Sequence, residues 1–254
     1  MRPLAWLLCA AISLFSPLGA SEVVRLTNGE WPPYLGQKLP HQGVASRIVA
    51  EAFALEGVQV QWEFYPWARA LRLAERGQSA GSAVWLRNAE REAAFFLSDP
   101  VLESGYYLFH RKDRPFTWQH IDDLKGLRIG AAVDYDYGEA FQQAEASGNL
   151  QVQRLSNENQ GLHMLLAGRI DLFPISKEVA ADIFFHEFSS AERAQLGFHP
   201  TPLRLDPMHL LLSRQVAGNA DLMRRFNRGL TRLRQSGKID QYLRELQQPP
   251  LSPP

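Results

Sequence analysis

Strand-type runs and helix-type stripes alternate along this chain in two successive series. Alternation of that kind builds mainly parallel sheets flanked by helices. In the first series residues 23–27 form a β-type run that ends at the Asn28-Gly29 turn signal. Residues 44–55 carry a helical stripe at Val44, Ile48, Val49, Ala52 and Phe53, and Gly57 stops it. Residues 58–64 alternate with period two, so Val58, Val60, Trp62 and Phe64 share one face. A helix over 67–76 closed by Gly77, a small-residue strand over 80–85, a short helix over 88–94 and a strand over 105–111 follow. The second series opens at 121–126. It runs strand 127–133, helix 137–146, strand 150–155, helix 159–167, strand 170–175 and helix 178–185. A last strand is expected at 208–213, and 221–246 is amphipathic with a break at Gly237. No repeat of fixed period appears. The pattern predicts an α/β protein of two lobes.

The 254 residues leave room for two lobes, and 45% apolar with 21% charged residues is a globular balance. Lys plus Arg total 27, as do Asp plus Glu, so the basic field that nucleic-acid binding needs is missing. The single cysteine, Cys9, excludes an intramolecular disulfide and a Cys-based zinc site. The seven histidines show no metal-type spacing, and no metal or cofactor is expected. Cys9 lies in residues 1–20, which read as an export signal. Arg2 is a short positive start, 4–15 is an apolar run too short to cross a bilayer comfortably, and Ala20 ends the segment on a small residue. Cleavage after Ala20 would send a soluble chain to the periplasm of a Gram-negative host; an N-terminal anchor is the competing reading. Residues 249–254 read as a disordered tail.

Six short motifs stand in order along the chain: Trp31-Pro32-Pro33-Tyr34 after the first strand; Glu90-Arg91 ahead of Leu97-Ser98-Asp99-Pro100; Tyr107-Leu108-Phe109 leading to Arg111-Lys112-Asp113; the run Asp123-Leu124-Lys125-Gly126-Leu127-Arg128-Ile129-Gly130; Ala167-Gly168-Arg169-Ile170-Asp171; and 233–240. In this order and spacing they resemble the bacterial family 3 extracellular solute-binding proteins, the receptors of polar amino-acid ABC transporters. The resemblance implies a two-lobed periplasmic-binding-protein (type II) clamshell. Lobe 1 would comprise 21–110 plus 206–248, lobe 2 residues 111–205, with hinges near 107–111 and 207–213. It implies a small-molecule ligand held between the lobes, ABC permease subunits or a membrane sensor as partner, and a monomer.

The resemblance also marks candidate ligand-binding residues. Arg91 matches the family's carboxylate-binding arginine, whose planar fork suits a carboxylate bidentately; a solvated arginine between Glu90 and Glu92 is the plainer reading. Trp31 and Tyr34, in a proline-fixed turn, and Trp67, at the next strand-to-helix turn, can stack on a ligand or cap the core. Trp85 closes a strand on the same lobe. The loop with Asp134, Tyr135, Asp136, Tyr137 and Gly138 departs from the Gly/Ser/Thr-rich loop of relatives. Where relatives place an Asp for the ligand's ammonium, this chain has Ser176 or Lys177. Asp134 or Asp136 would replace that charge, or the ligand is not an ordinary α-amino acid.

Two function classes follow. One is a binding protein without catalytic residues. The other is an enzyme on the same scaffold, similar to periplasmic cyclohexadienyl dehydratases, with Glu30, Asp134 or Asp136 as general acid or base. Gly77-Gln78-Ser79-Ala80-Gly81 matches a nucleophile-elbow pattern, but a helix precedes it and a strand follows, the reverse of what an elbow needs. His186-Glu187 has Ser190 where a zinc-protease helix needs a second His, and His163 reads as packing.

Overall fold

The computed structural model describes residues 22–133 and 135–247. The expected signal segment, the tail over 249–254 and Asp134 lie outside the described residues. Elements run β1 Glu22–Asn28, α1 Val44–Ala54, β2 Val58–Phe64, α2 Trp67–Glu75, β3 Gly81–Leu86, α3 Ala89–Ala94, β4 Phe95–Leu97 and β5 Leu102–Arg111. They continue with β6 Arg128–Ala132, α4 Glu139–Ala146, β7 Gln151–Leu155, α5 Glu158–Leu166, β8 Phe173–Ile175, α6 Lys177–Glu187, α7 Ser190–Gln195, β9 Leu196–Ser213, α8 Asn219–Gln235 and α9 Lys238–Gln247.

The expected α/β alternation is present, and within each series the strands pair in parallel. β1 lies between β2 and β3, and β6 pairs β7 in register from Arg128↔Gln151 to Ala132↔Leu155. The antiparallel pairs all involve the two long strands: β9 pairs β3, β4 and β5, and β5 pairs β8. The sheet order is β2-β1-β3-β9-β5-β8, with β4 against β9, while β6 and β7 form a separate pair. Ile129 bridges Leu172 and so links that pair to the start of β8.

β9 is the main departure from expectation. The sequence suggests a strand only over 208–213, whereas the observed strand has 18 residues from Leu196. Pro200, Pro202 and Pro207 lack an N–H and read as breakers. All three fall where β9 has β5 as its only partner; β3 and β4 join it from Met208 onward. A proline on an edge stretch leaves its donorless nitrogen facing out of the ladder. The pairing also slips between Tyr106 and Phe109, opposite Pro202. α7 is likewise missing from the expectation, although Ser189 and Glu192 form a capping box at its start.

The C-terminal helices return to the first sheet. α8 packs along α1, where Phe53 and Phe226 rings sit 4.8 Å apart. Gly229 lets the two helices touch, since a Cβ there would overlap the Ala52 carbonyl. A second cluster gathers Leu108, Leu124, Ile129, Tyr137, Phe141 and Leu172 around β6 and α4. Gly237, at φ 74°, separates α8 from α9 as the break signal suggests.

Candidate functional site

The expected site residues lie on the turn after β1, the α2 start with the β3 end, α3, the loop ahead of α4 and the start of α6. Asn28 closes β1 by donating to Ser46 Oγ at 2.9 Å, and its Oδ1 accepts from Gly29 N at 3.1 Å. Gly29 is required here, because a Cβ would enter the Trp67 ring. Trp31 and Leu35 exchange backbone hydrogen bonds of 2.8 and 2.9 Å, which closes the double-proline turn. That turn sets the two aromatics apart. Tyr34 is buried at 1% exposure, while Trp31 stays half-buried with its ring 4.4 Å from that of Tyr34. Tyr34 therefore takes the core position. Its hydroxyl donates to Glu178 Oε2 at 2.8 Å and lies 3.4 Å from Ser176 Oγ. Burial, then the Glu178 charge, pushes its pKa far up, so it stays a neutral donor.

Trp67 opens α2 and donates from Nε1 to Glu30 O at 3.3 Å. Its ring meets Trp85 edge-on at 5.0 Å, and Trp85 Nε1 donates to Ser82 Oγ at 2.9 Å. Arg91 completes this wall. Asn88 caps α3 by accepting from Arg91 N, which turns the arginine back over β3. Its Nη1 donates to Leu86 O at 2.6 Å, and its Cζ sits 4.9 Å from the Trp85 ring centre. Its Nε is buried with no partner, and among the described residues Arg91 makes no ion pair. Burial lowers the Arg91 pKa, and the charges of Glu90 and Asp136 work against that shift. The solvated reading of Arg91 is thus replaced by a half-buried cation.

Across from Arg91, Asp136 is held by Arg204, 2.6 Å from Oδ1, and by Gly138 N at 2.9 Å. Burial resists its charge, but Arg204, Gly138 and Arg91 together keep its pKa below the usual carboxylate range. Tyr135 donates to Glu158, and its ring lies 6.0 Å from Tyr106. Its neighbour Tyr137 belongs to the core, its hydroxyl accepting from Ala132 N at 2.9 Å. Ser176 is buried as the N-cap of α6, accepting from Val179 N at 3.3 Å and donating to Glu178 at 3.1 Å. Lys177 points its Nζ at the Tyr107 ring, 4.2 Å from the centre.

The structure therefore gathers Trp67, Trp85, Arg91 and Asp136, and ties Tyr34 to Ser176. Arg204, Asp206, Tyr106 and Glu158 join the site although the sequence did not single them out. The alternation Arg204-Leu205-Asp206 in β9 puts both charges on one strand face, where they pair. That was a readable signal, hidden because the segment was not expected to be a strand. A hollow of about 1180 Å³ lies beside α4 and Trp118 and shares only Asp136 and Arg204 with this cluster. Among the described residues no group of three metal-ligating side chains forms, and no helix is long and apolar enough to cross a membrane. His163 stacks on Phe188 at 4.4 Å, a packing contact.

A half-buried arginine beside aromatic side chains can hold a small polar solute. The chain belongs to the bacterial extracellular solute-binding proteins, family 3, whose model matches residues 23–246. The fold is similar to a histidine kinase sensor domain described as similar to periplasmic binding proteins (TM-score 0.70, 17% identity, 89% of this chain and 96% of that one). It is also similar to an ancestral arginine-binding protein bound to arginine (0.66, 18%, 88% and 97%). A third likeness is to an amino acid ABC transporter substrate-binding protein from Streptococcus pneumoniae bound to L-arginine (0.64, 18%, 89% and 94%). These are periplasmic-binding-protein type II folds, as expected. No curated protein matches the chain in sequence.

Proposed function

We propose that this chain is a periplasmic receptor that captures a small polar, carboxylate-bearing solute between two lobes and delivers it to ABC permease subunits. The observation that carries this reading is the Arg91 guanidinium, half-buried against Trp85, with Nε unpartnered and, among the described residues, no ion pair. Partial burial disfavours the charge on Arg91, and a ligand carboxylate on its guanidinium would answer it. Family membership and the amino-acid ABC transporter protein of similar fold support the transport role. The lobes are taken as 21–110 with 206–248, and 111–205. The hinge is taken near 107–111 and 207–213, where β5 and β9 run from one lobe to the other.

A solute that binds across the cleft stabilises the closed protein by RT ln(1 + [L]/Kd), about 2.7 kcal/mol at a hundredfold excess over Kd. A thermal-shift panel of amino acids, other small carboxylates, amines and short peptides should therefore give at least one clear hit. A panel with no carboxylate hit would remove this reading. Export is a second expectation: mass spectrometry of the mature protein should find Ser21 first, and intact Met1 in the membrane fraction would contradict it.

The sensor-domain likeness favours one alternative, a ligand-sensing input protein. The panel does not separate the two; co-purification with a permease or with a sensor kinase does. The enzyme reading has less support. Asp136 is an ion-paired carboxylate with a lowered pKa, the wrong direction for a general acid, and Glu30 is exposed and accepts from Gln37 N.

A further inference from the structure

We propose that Tyr34 and the start of α6 form a latch that draws the two lobes together through protein contacts alone, so that the receptor closes before its solute arrives. This rests on the two-lobe reading above, with Tyr34 in lobe 1 and α6 in lobe 2, and not on the carboxylate site at Arg91. The backbone of Tyr34 is fixed to lobe 1. Ala45 N of α1 donates to Tyr34 O at 2.9 Å, and the Trp31–Leu35 pair closes the turn around it. The side chain reaches the other lobe. Its hydroxyl donates to Glu178 Oε2 at 2.8 Å and lies 3.4 Å from Ser176 Oγ. Ser176 donates to the same carboxylate oxygen at 3.1 Å. Tyr34 and Ser176 are each only 1% exposed, so both hydroxyls have given up water, and the shared carboxylate answers them. Parting the lobes would take Glu178 away from Tyr34.

Apolar packing crosses the same boundary. α9 is anchored to α1 of lobe 1, where Tyr242 donates to Glu51 Oε2 at 2.7 Å and Arg47 meets Glu245 at 3.2 Å. α9 also touches α6 of lobe 2. Val179 and Ala180 of α6 belong to one continuous buried cluster with Tyr34, Leu35 and Tyr242, and Ile183 of α6 packs against that cluster, as do Leu243 and Leu246 of α9. Opening the lobes here would return apolar surface to water. The hydrogen bonds fix where the lobes meet, and the apolar contact resists their parting. In a receptor latched this way, opening is the gate. Solute enters only during the fraction of time that the lobes stand apart.

The test is an inter-lobe distance, measured by pulsed electron spin resonance on the mature protein after refolding from denaturant to strip co-purified solute. Nitroxide labels go on Arg72→Cys in α2 and Ala146→Cys in α4, two exposed positions, and the chain after residue 20 brings no cysteine of its own. The solute-free protein should show one main distance, that of the present structure. Tyr34→Phe removes only the hydroxyl. It should add a longer distance and lower the closed-to-open ratio about tenfold, the factor for one hydrogen bond to a charged group. Glu178→Ala should do the same. The two changes together should open the protein little more than either alone, since both remove the same bond. An open distance that already dominates in the unaltered protein would overturn the latch and leave the two lobes standing. Unchanged distances in both variants would also overturn it, and would make the contact a fixed strut between the β1 turn and α6. The carboxylate reading is tested separately by the thermal-shift panel, so either can fall without the other.

Discussion

Arg91→Ala should weaken binding of the captured carboxylate by about thirtyfold or more, because removing one partner of a desolvated charge pair costs about 2–5 kcal/mol in binding. Arg91→Lys should recover only part of this, since a point charge cannot reproduce the two-pronged fork. The empty protein pays a smaller cost. Arg91 Nη1 donates to Leu86 O at 2.6 Å, tying α3 to the end of β3, and one such hydrogen bond contributes about 0.5–1.5 kcal/mol. Calorimetry with the best hit of the carboxylate panel, alongside denaturant unfolding of the empty protein, separates the two effects. Unchanged affinity with lowered stability would make Arg91 a strut between α3 and β3.

Phe226→Ala should lower the unfolding free energy by about 3–5 kcal/mol, the range for truncating a buried phenylalanine. Phe226 is fully buried, its ring meets Phe53 of α1, and the close approach at Gly229 leaves α1 and α8 little freedom to collapse into the space left behind. Urea denaturation of the empty protein measures this. Phe185→Ala is the control, because Phe185 is 41% exposed and should cost much less. A loss below about 1 kcal/mol for Phe226→Ala would mean that α8 is not a working part of the core it shares with α1.

Sequence periodicity located nearly every helix and parallel strand, since burial on one face leaves a local imprint that one chain displays. α1 ends one residue before Leu55, α2 stops at the Gly77 signal, and the α8–α9 break falls on Gly237. β9 escaped because its prolines obey a local rule whose exception, the edge position, is a fact about neighbouring strands. The same limit applies to the site. Trp31 and Tyr34 share one turn and one chemistry, and local sequence treats them alike. Only the packing of that turn against α1 and α6 sends Tyr34 inward to Glu178 and leaves Trp31 half-buried.

By itself the sequence determined the α/β alternation and the family, both of which depend on local pattern or on motif order. The tertiary structure alone decided that Arg91 is half-buried over Trp85, that Asp136 belongs to Arg204, and that Ser176 is a helix cap facing Tyr34. These pairings join residues 6, 68 and 142 positions apart. Whether a charge is free to meet a ligand depends on which distant partner reaches it first, and chain order holds no direct record of that distance in space.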